Sequence, residues 1–260
     1  MNLFYREFGQ GQPMIILHGL LGNSDNWVRF AKYFAEKLSF KVIVPDLRNH
    51  GNSPHDKEFS LNSMSADIIE LMKKLTIENP IILGHSLGGK IILNTLKNNP
   101  ALFKAIIIAD MGLRSYSPNY ANLKLIELML YSDLSKYSSR KQVEDFLIKE
   151  IYDEKLRMLV LKNIYWKNSY TLDWKLNIES IYNFYPELLK SISVNNNIST
   201  PTIFLKGEKS DYINEEDELL IQKIFNNFSI KTIKNAGHWL HVDNPLDFNK
   251  SVEEFVGIQK

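Results

Sequence analysis

A chain of 260 residues, 44% of them hydrophobic, can bury a sizeable core, either as one domain with an insertion or as two small domains. Its 31 basic and 30 acidic residues leave a formal net charge of +1, so charge balance gives no reason to expect nucleic acid or another polyanion as partner. Cysteine is absent, which excludes a disulfide framework, thiolate metal sites and a cysteine nucleophile.

The chain opens with MNLFYREFGQGQPMIILHGLLG, where Arg6 and Glu7 precede an apolar run too short for a membrane span and unlike a signal peptide. A soluble, cytoplasmic protein is the expectation. Within this stretch FGQGQP lacks the third glycine of a dinucleotide fingerprint, and Pro13 interrupts any following helix. Strands are predicted at Met14–Leu17, Lys41–Pro45, Ile81–Leu83, Ala105–Ala109, Thr202–Lys206 and Ile230–Ile233. Helices around Trp27–Leu38, Leu61–Leu75, Lys90–Asn98 and Asp217–Phe225 alternate with them. Continuous apolar strands separated by helices predict an α/β fold, a mostly parallel, doubly wound sheet covered on both faces. Its ligand site belongs at the C-terminal ends of the strands.

From about Ser115 to Ser199 that rhythm breaks. NLKLIELMLYSDL, RKQVEDFLIKEIYDEKLRMLVLKNIYW and NIESIYNFYPELLKSI read as helices without a strand between them. In the second, Val143, Phe146, Leu147 and Ile151 fall on one helical face. Residues 115–199 are therefore expected to form an all-helical insertion into a core made of 1–114 and 200–260. The insertion's aromatic residues (Tyr165, Trp166, Tyr170, Trp174, Tyr182, Phe184, Tyr185) either line a pocket or, for most of them, pack the insertion onto the core.

Between the strand at Ile81 and the helix at Lys90 stands Gly84-His85-Ser86-Leu87-Gly88, with Ser86 at the tip of a turn of about three residues. This is the G-x-S-x-G pattern of a nucleophile elbow in its expected strand–turn–helix context. Strained backbone at the serine projects its hydroxyl from the sheet, and the glycines let strand and helix approach closely. The helix N-terminus favours an oxyanion, with the N–H of Leu87 as one donor. A second donor is expected from the N–H of Leu20, where His18-Gly19 turns the chain after an early strand.

A serine hydroxyl needs a base, usually a histidine oriented by a carboxylate. Of six histidines, His238 is the choice: it lies in TIKNAGHWLHVDNP, past the last predicted strand. His241 competes but is expected to point along the following turn, and His85 should face away from its neighbour Ser86. His18 and His50 occupy separate glycine turns, and His55 a polar loop. Two aspartates end strands before His238 in chain order, Asp110 in AIIIADMG and Asp211 in IFLKGEKSDYI. Either could instead cap or turn the chain. Asp110 follows an unbroken apolar run, a costly place for a carboxylate without a partner.

With HGLLGNSDNW, VPDLRNHGNSP, GHSLGG and NAGHWLHVDNP in this order, the chain resembles the α/β-hydrolase superfamily over nearly its whole length, with the insertion as a cap. It is most similar to YbfF-type esterases in Arg48-Asn49-His50-Gly51-Asn52-Ser53-Pro54, in the His238-Trp239 pair and in DWKLNIESI. That resemblance implies that the acid is Asp110, ending the strand before the cap, with Asp211 as runner-up. Ser210 stands where many α/β-hydrolases carry the acid, and is expected to add a hydrogen bond to the His238–Asp110 pair. It also implies a short- to medium-chain carboxylic ester or thioester as small-molecule substrate.

The expected reaction is acyl transfer to water through an acyl-enzyme, and it requires no cofactor and no metal. Rivals on the same fold are carbon–carbon bond hydrolysis, elimination and peracid formation, or a non-catalytic binding role. A haloalkane dehalogenase would carry an aspartate at position 86.

Overall fold

The apolar runs form strands because β-branched side chains fit a pleated, doubly covered surface. In the computed structural model, which describes residues 1–118, 120–194 and 197–258, the strands in chain order are β1 (Tyr5–Phe8), β2 (Gln12–Leu17), β3 (Phe40–Pro45), β4 (Ile81–His85), β5 (Ala105–Ala109), β6 (Ile164–Trp166), β7 (Leu172–Trp174), β8 (Thr202–Gly207) and β9 (Phe228–Ile233). Seven of them make one sheet in the order β1-β3-β2-β4-β5-β8-β9. Each pairing from β3 to β9 is parallel, and β1 alone runs antiparallel, with Tyr5 opposite Pro45. Alternate residues feed opposite faces. Ile15, Leu17, Ile43, Ile82 and Ile106 enter one core, while Met14, Ile16, Val42, Val44, Leu83 and Ile107 enter the other.

The helices are α1 (Val28–Leu38), α2 (Leu61–Lys74), α3 (Leu87–Leu96), α4 (Tyr120–Tyr131), α5 (Arg140–Glu150), α6 (Glu154–Lys162), α7 (Ile178–Leu188), α8 (Glu215–Ile224), α9 (Leu240–Asp243) and α10 (Pro245–Ile258). The predicted parallel, doubly wound sheet is thus present. Among the described residues no helix is long and apolar enough to cross a membrane.

Three features depart from expectation. The chain between β5 and β8 is not all helical, because β6 and β7 pair as an antiparallel hairpin. Its turn is closed by the Asn168 side chain, which accepts from the N–H groups of Tyr170 and Thr171 at 2.9 Å each. The long helical reading before it splits where Asp153 ends one pattern and caps α6, accepting from Leu156 N–H at 3.1 Å. Strand β1 was not anticipated. It is an edge strand of four residues, including Arg6 and Glu7, and such charged edges carry little apolar alternation.

Candidate active site

β4 ends at His85 and α3 begins at Leu87, so Ser86 alone makes the turn, tighter than the three residues expected. Its backbone has φ 53° and ψ −115°. A non-glycine residue at positive φ stores strain of order 1–3 kcal/mol, held here by the sheet on one side and the helix on the other. Ser86 N–H donates to the Ala109 carbonyl at 3.0 Å, which fixes the turn against β5. The glycines make the closeness possible: a Cβ on Gly84 would lie 2.4 Å from the Gly88 carbonyl carbon, and one on Gly88 would lie 2.4 Å from the Leu17 oxygen. As first residue of α3, Leu87 has an N–H with no intrahelical acceptor.

Asp110 follows β5, also at positive φ (50°), and is fully buried. Its carboxylate is well supplied. Oδ1 accepts from Gly207 N–H at 3.0 Å, and Oδ2 accepts from the Ser210 hydroxyl and from His238 Nδ1 at 2.8 Å. With Nδ1–H committed to Asp110, the imidazole presents Nε2 as its proton-accepting nitrogen. Asp211 is exposed and takes no part in this contact; its carbonyl accepts from the Arg114 guanidinium at 2.9 Å. The strand order explains the convergence. The loops after β4, β5, β8 and β9 carry Ser86, Asp110, Ser210 and His238, and these four strands are consecutive neighbours.

His85 lines the cavity and reaches toward the His238 loop, where its Nε2–H donates to the His238 carbonyl at 2.8 Å. Burial holds its pKa well below the usual histidine value. His241 does not follow the turn as expected: it stacks on Trp27, centroids 4.2 Å apart, and burial brings its pKa down to about 3.

The other two buried histidines turn out to be struts of the loop that carries Leu20. His18 Nε2 accepts from Leu47 N–H at 3.0 Å, and its Nδ1–H donates to the Gly19 carbonyl at 2.8 Å. His50 Nε2 accepts from Leu21 N–H at 3.2 Å, and its Nδ1–H donates to the Arg48 carbonyl at 2.9 Å. Burial keeps both rings neutral, with pKa values lowered to about 4 for His18 and about 3 for His50. The VPDLRNHGNSP segment is therefore a support. Asp46 accepts from Ser24 and Asn52 N–H groups, and Arg48 forms a two-pronged pair with Asp67 at 2.6 and 2.8 Å. Leu21 itself lies at φ 61°, so the loop is held in an uncommon shape.

Ser86, His238, Leu20 and Leu87 line a single cavity of about 690 Å³, a size suited to a small organic ligand. Its apolar wall comes from Met111, Leu125, Leu156, Leu159, Tyr185 and Leu188. Of the insertion's seven aromatic residues singled out from the sequence, Tyr185 lines the cavity, Trp166 and Tyr170 are exposed, Tyr165 is half-buried, and Trp174, Tyr182 and Phe184 pack on the core. Residues that the sequence did not single out also shape the site. Lys90 is buried, and its ammonium donates to the carbonyls of Leu188 and Lys190 at 2.6 Å each, clamping the end of α7 to α3. Burial lowers its pKa to about 8. Asn163 donates to the Leu21 carbonyl at 2.7 Å, and Tyr212 stacks on His238. No local sequence pattern marks these contacts, since each joins segments far apart in the chain. Among the described residues no group of acidic, histidine or cysteine side chains is arranged to hold a metal ion.

The alpha/beta hydrolase fold family matches residues 12–138 of this chain. An sn-1-specific diacylglycerol lipase, ABHD11, of Danio rerio is 33% identical over 98% of this chain and 83% of its own length. The chain belongs to the α/β-hydrolase fold family. Its structure is similar to that of a marine microorganism esterase, with a TM-score of 0.94 and 39% identity, covering 97% of this chain and 98% of the other. Ethanol acetyltransferase 1 of Hanseniaspora uvarum is 25% identical, over 95% of this chain and 78% of its own.

Proposed function

We propose that this protein is an esterase/lipase-type serine hydrolase that cleaves carboxylic esters or thioesters of short- to medium-chain acyl groups. The observation that carries the reading is the 2.8 Å bond between His238 Nδ1 and buried Asp110, beside a cavity lined by both His238 and the strained Ser86. In this reading His238 Nε2 takes the Ser86 proton as the serine oxygen attacks the carbonyl carbon, and the N–H groups of Leu20 and Leu87 receive the developing oxyanion. His238 then returns the proton to the departing alcohol or thiol. Water, activated by the same nitrogen, releases the acid from the acyl-enzyme. Asp110 fixes the tautomer and balances the imidazolium, and Ser210 holds Asp110.

Residues 1–114 and 200–260 act as the hydrolase core and 115–199 as its cap in this proposal. The narrower grouping with YbfF-type esterases is supported by the pairing of His238 with an aspartate that precedes the cap, together with a serine at position 210. The acetyltransferase relative supports a second outcome from one intermediate, in which an alcohol replaces water as acceptor of the acyl group. The test is covalent labelling by a fluorophosphonate, together with a chain-length panel of aryl esters, acylglycerols and acyl thioesters with and without ethanol. Labelling at Ser86, lost in Ser86→Ala with the panel activity, is the expected result. A folded protein that is never labelled would favour a binding role.

A further inference from the structure

The two planar groups beside the base are unequal. On one side the Tyr212 ring lies 3.9 Å from the His238 ring, centroid to centroid, at 18° between planes. The other neighbour, His85, is 4.8 Å away and tilted by 40°. Tyr212 is itself held from several directions. Its carbonyl accepts from the Tyr116 hydroxyl at 2.8 Å, and its own hydroxyl hydrogen-bonds Asn122 of α4. Tyr116 is in turn fixed, accepting from Gly112 N–H at 2.7 Å and lying under the Arg114 guanidinium at 4.5 Å. Such bracing does more than fill space, because it presents the electron-rich face of a phenol squarely to an imidazole.

We propose that Tyr212 is a positioning residue of the reaction, whose ring face fixes the plane of His238 and stabilises the imidazolium formed when the Ser86 proton is taken. This rests on the serine-hydrolase reading above. A π face stacks on the neutral ring and attracts the cation more strongly, so the stabilisation grows as charge develops, which is what a catalytic interaction requires. The other groups around His238 leave this role open. Asp110, at the end of β5, holds Nδ1; His85 from β4 and His241 from α9 are kept neutral by burial. Asp211, and Lys162 of α6, line the same cavity at its exposed side. Burial pushes the Tyr212 phenol up to about 12, so the ring keeps its hydroxyl proton across the working range.

The experiment follows the His238 imidazole by NMR titration in the whole protein, alongside the pH profile of ester hydrolysis. Tyr212→Leu keeps an apolar cover without a π face. It is expected to lower the His238 pKa by about half a unit to one and a half units. The acid limb of kcat/KM should move down by the same amount, and kcat should fall about 2- to 30-fold with little change in KM. Tyr212→Phe should titrate like the parent, and Tyr212→Trp should raise the pKa. The signs decide the matter. If Tyr212 were only a lid, replacing it would hydrate the imidazole and raise its pKa, and that result, or an unchanged pKa in the Leu variant, overturns the proposal. Should the Leu variant not fold, an unshifted or lowered pKa in Tyr212→Trp overturns it equally. The titration needs no turnover, so an inert Ser86 would sink the hydrolase reading while leaving the stacking measurable.

Discussion

Asp110 and Asp211 show how one carboxylate gains partners that local sequence cannot assign. Both follow a strand, Asp110 directly after β5 and Asp211 four residues after β8, and both precede His238 in the chain. Of the two, only Asp110 receives three donors: Gly207 N–H at the end of β8, the Ser210 hydroxyl just after it, and His238 Nδ1 from the loop after β9. Asp110→Asn is expected to lower kcat by about 10³- to 10⁴-fold, because the amide favours the wrong imidazole tautomer. Asp211→Asn should stay within about threefold, since an exposed carboxylate whose backbone alone contacts Arg114 has little to lose. Steady-state rates of the two purified variants check this, and the reverse ranking would transfer the acid role to Asp211. The sequence singled out His238, the histidine that bonds Asp110, from its place after a strand. It could not show Lys90, Asn163 or Tyr212, because their partners lie in remote segments and depend on how the insertion seats.

At the scale of elements, the elbow works through proximity of β4, α3 and β2, and its glycines are the points of contact. Gly88→Ala would press a methyl to 2.4 Å from the Leu17 oxygen, which is backbone and cannot step aside. A loss of about 1–3 kcal/mol is expected, with the melting temperature falling several degrees. Gly257 in α10 is the control, since an added Cβ there meets nothing within 4 Å. Gly257→Ala should be neutral or stabilise by up to about 1 kcal/mol. Thermal melts of both variants give the contrast. Elements with strong periodicity were legible beforehand: the six predicted strands fall in β2, β3, β4, β5, β8 and β9. The hairpin β6–β7 was hidden because three-residue strands have no period to read, and because apolar residues of α6 run directly into it.

For the whole molecule, the buried histidines set its tolerance of acid. His18 and His50 are neutral in the fold, with pKa values near 4 and 3 against about 6.5 in an unfolded chain. Between those limits the unfolded state binds protons that the folded state refuses, so stability falls as pH drops through 6.5. By pH 5 each contributes a penalty of about 2 kcal/mol, and both act on the loop that bears Leu20. Melting temperature should therefore drop steeply from pH 7 to pH 5, and a His50→Gln variant that still folds should show a shallower drop. A flat profile would mean that these rings titrate normally in the fold.

The convergence at the sheet edge has a consequence for how the protein comes into being. Asp110 and His238 are 128 residues apart, and the imidazole sits beyond β9, the edge strand of the sheet. Under the proposed chemistry, a nascent polypeptide emerging from the ribosome carries its serine and its carboxylate long before its base. Hydrolytic power is thus withheld until β9 and the loop after it have been made and docked.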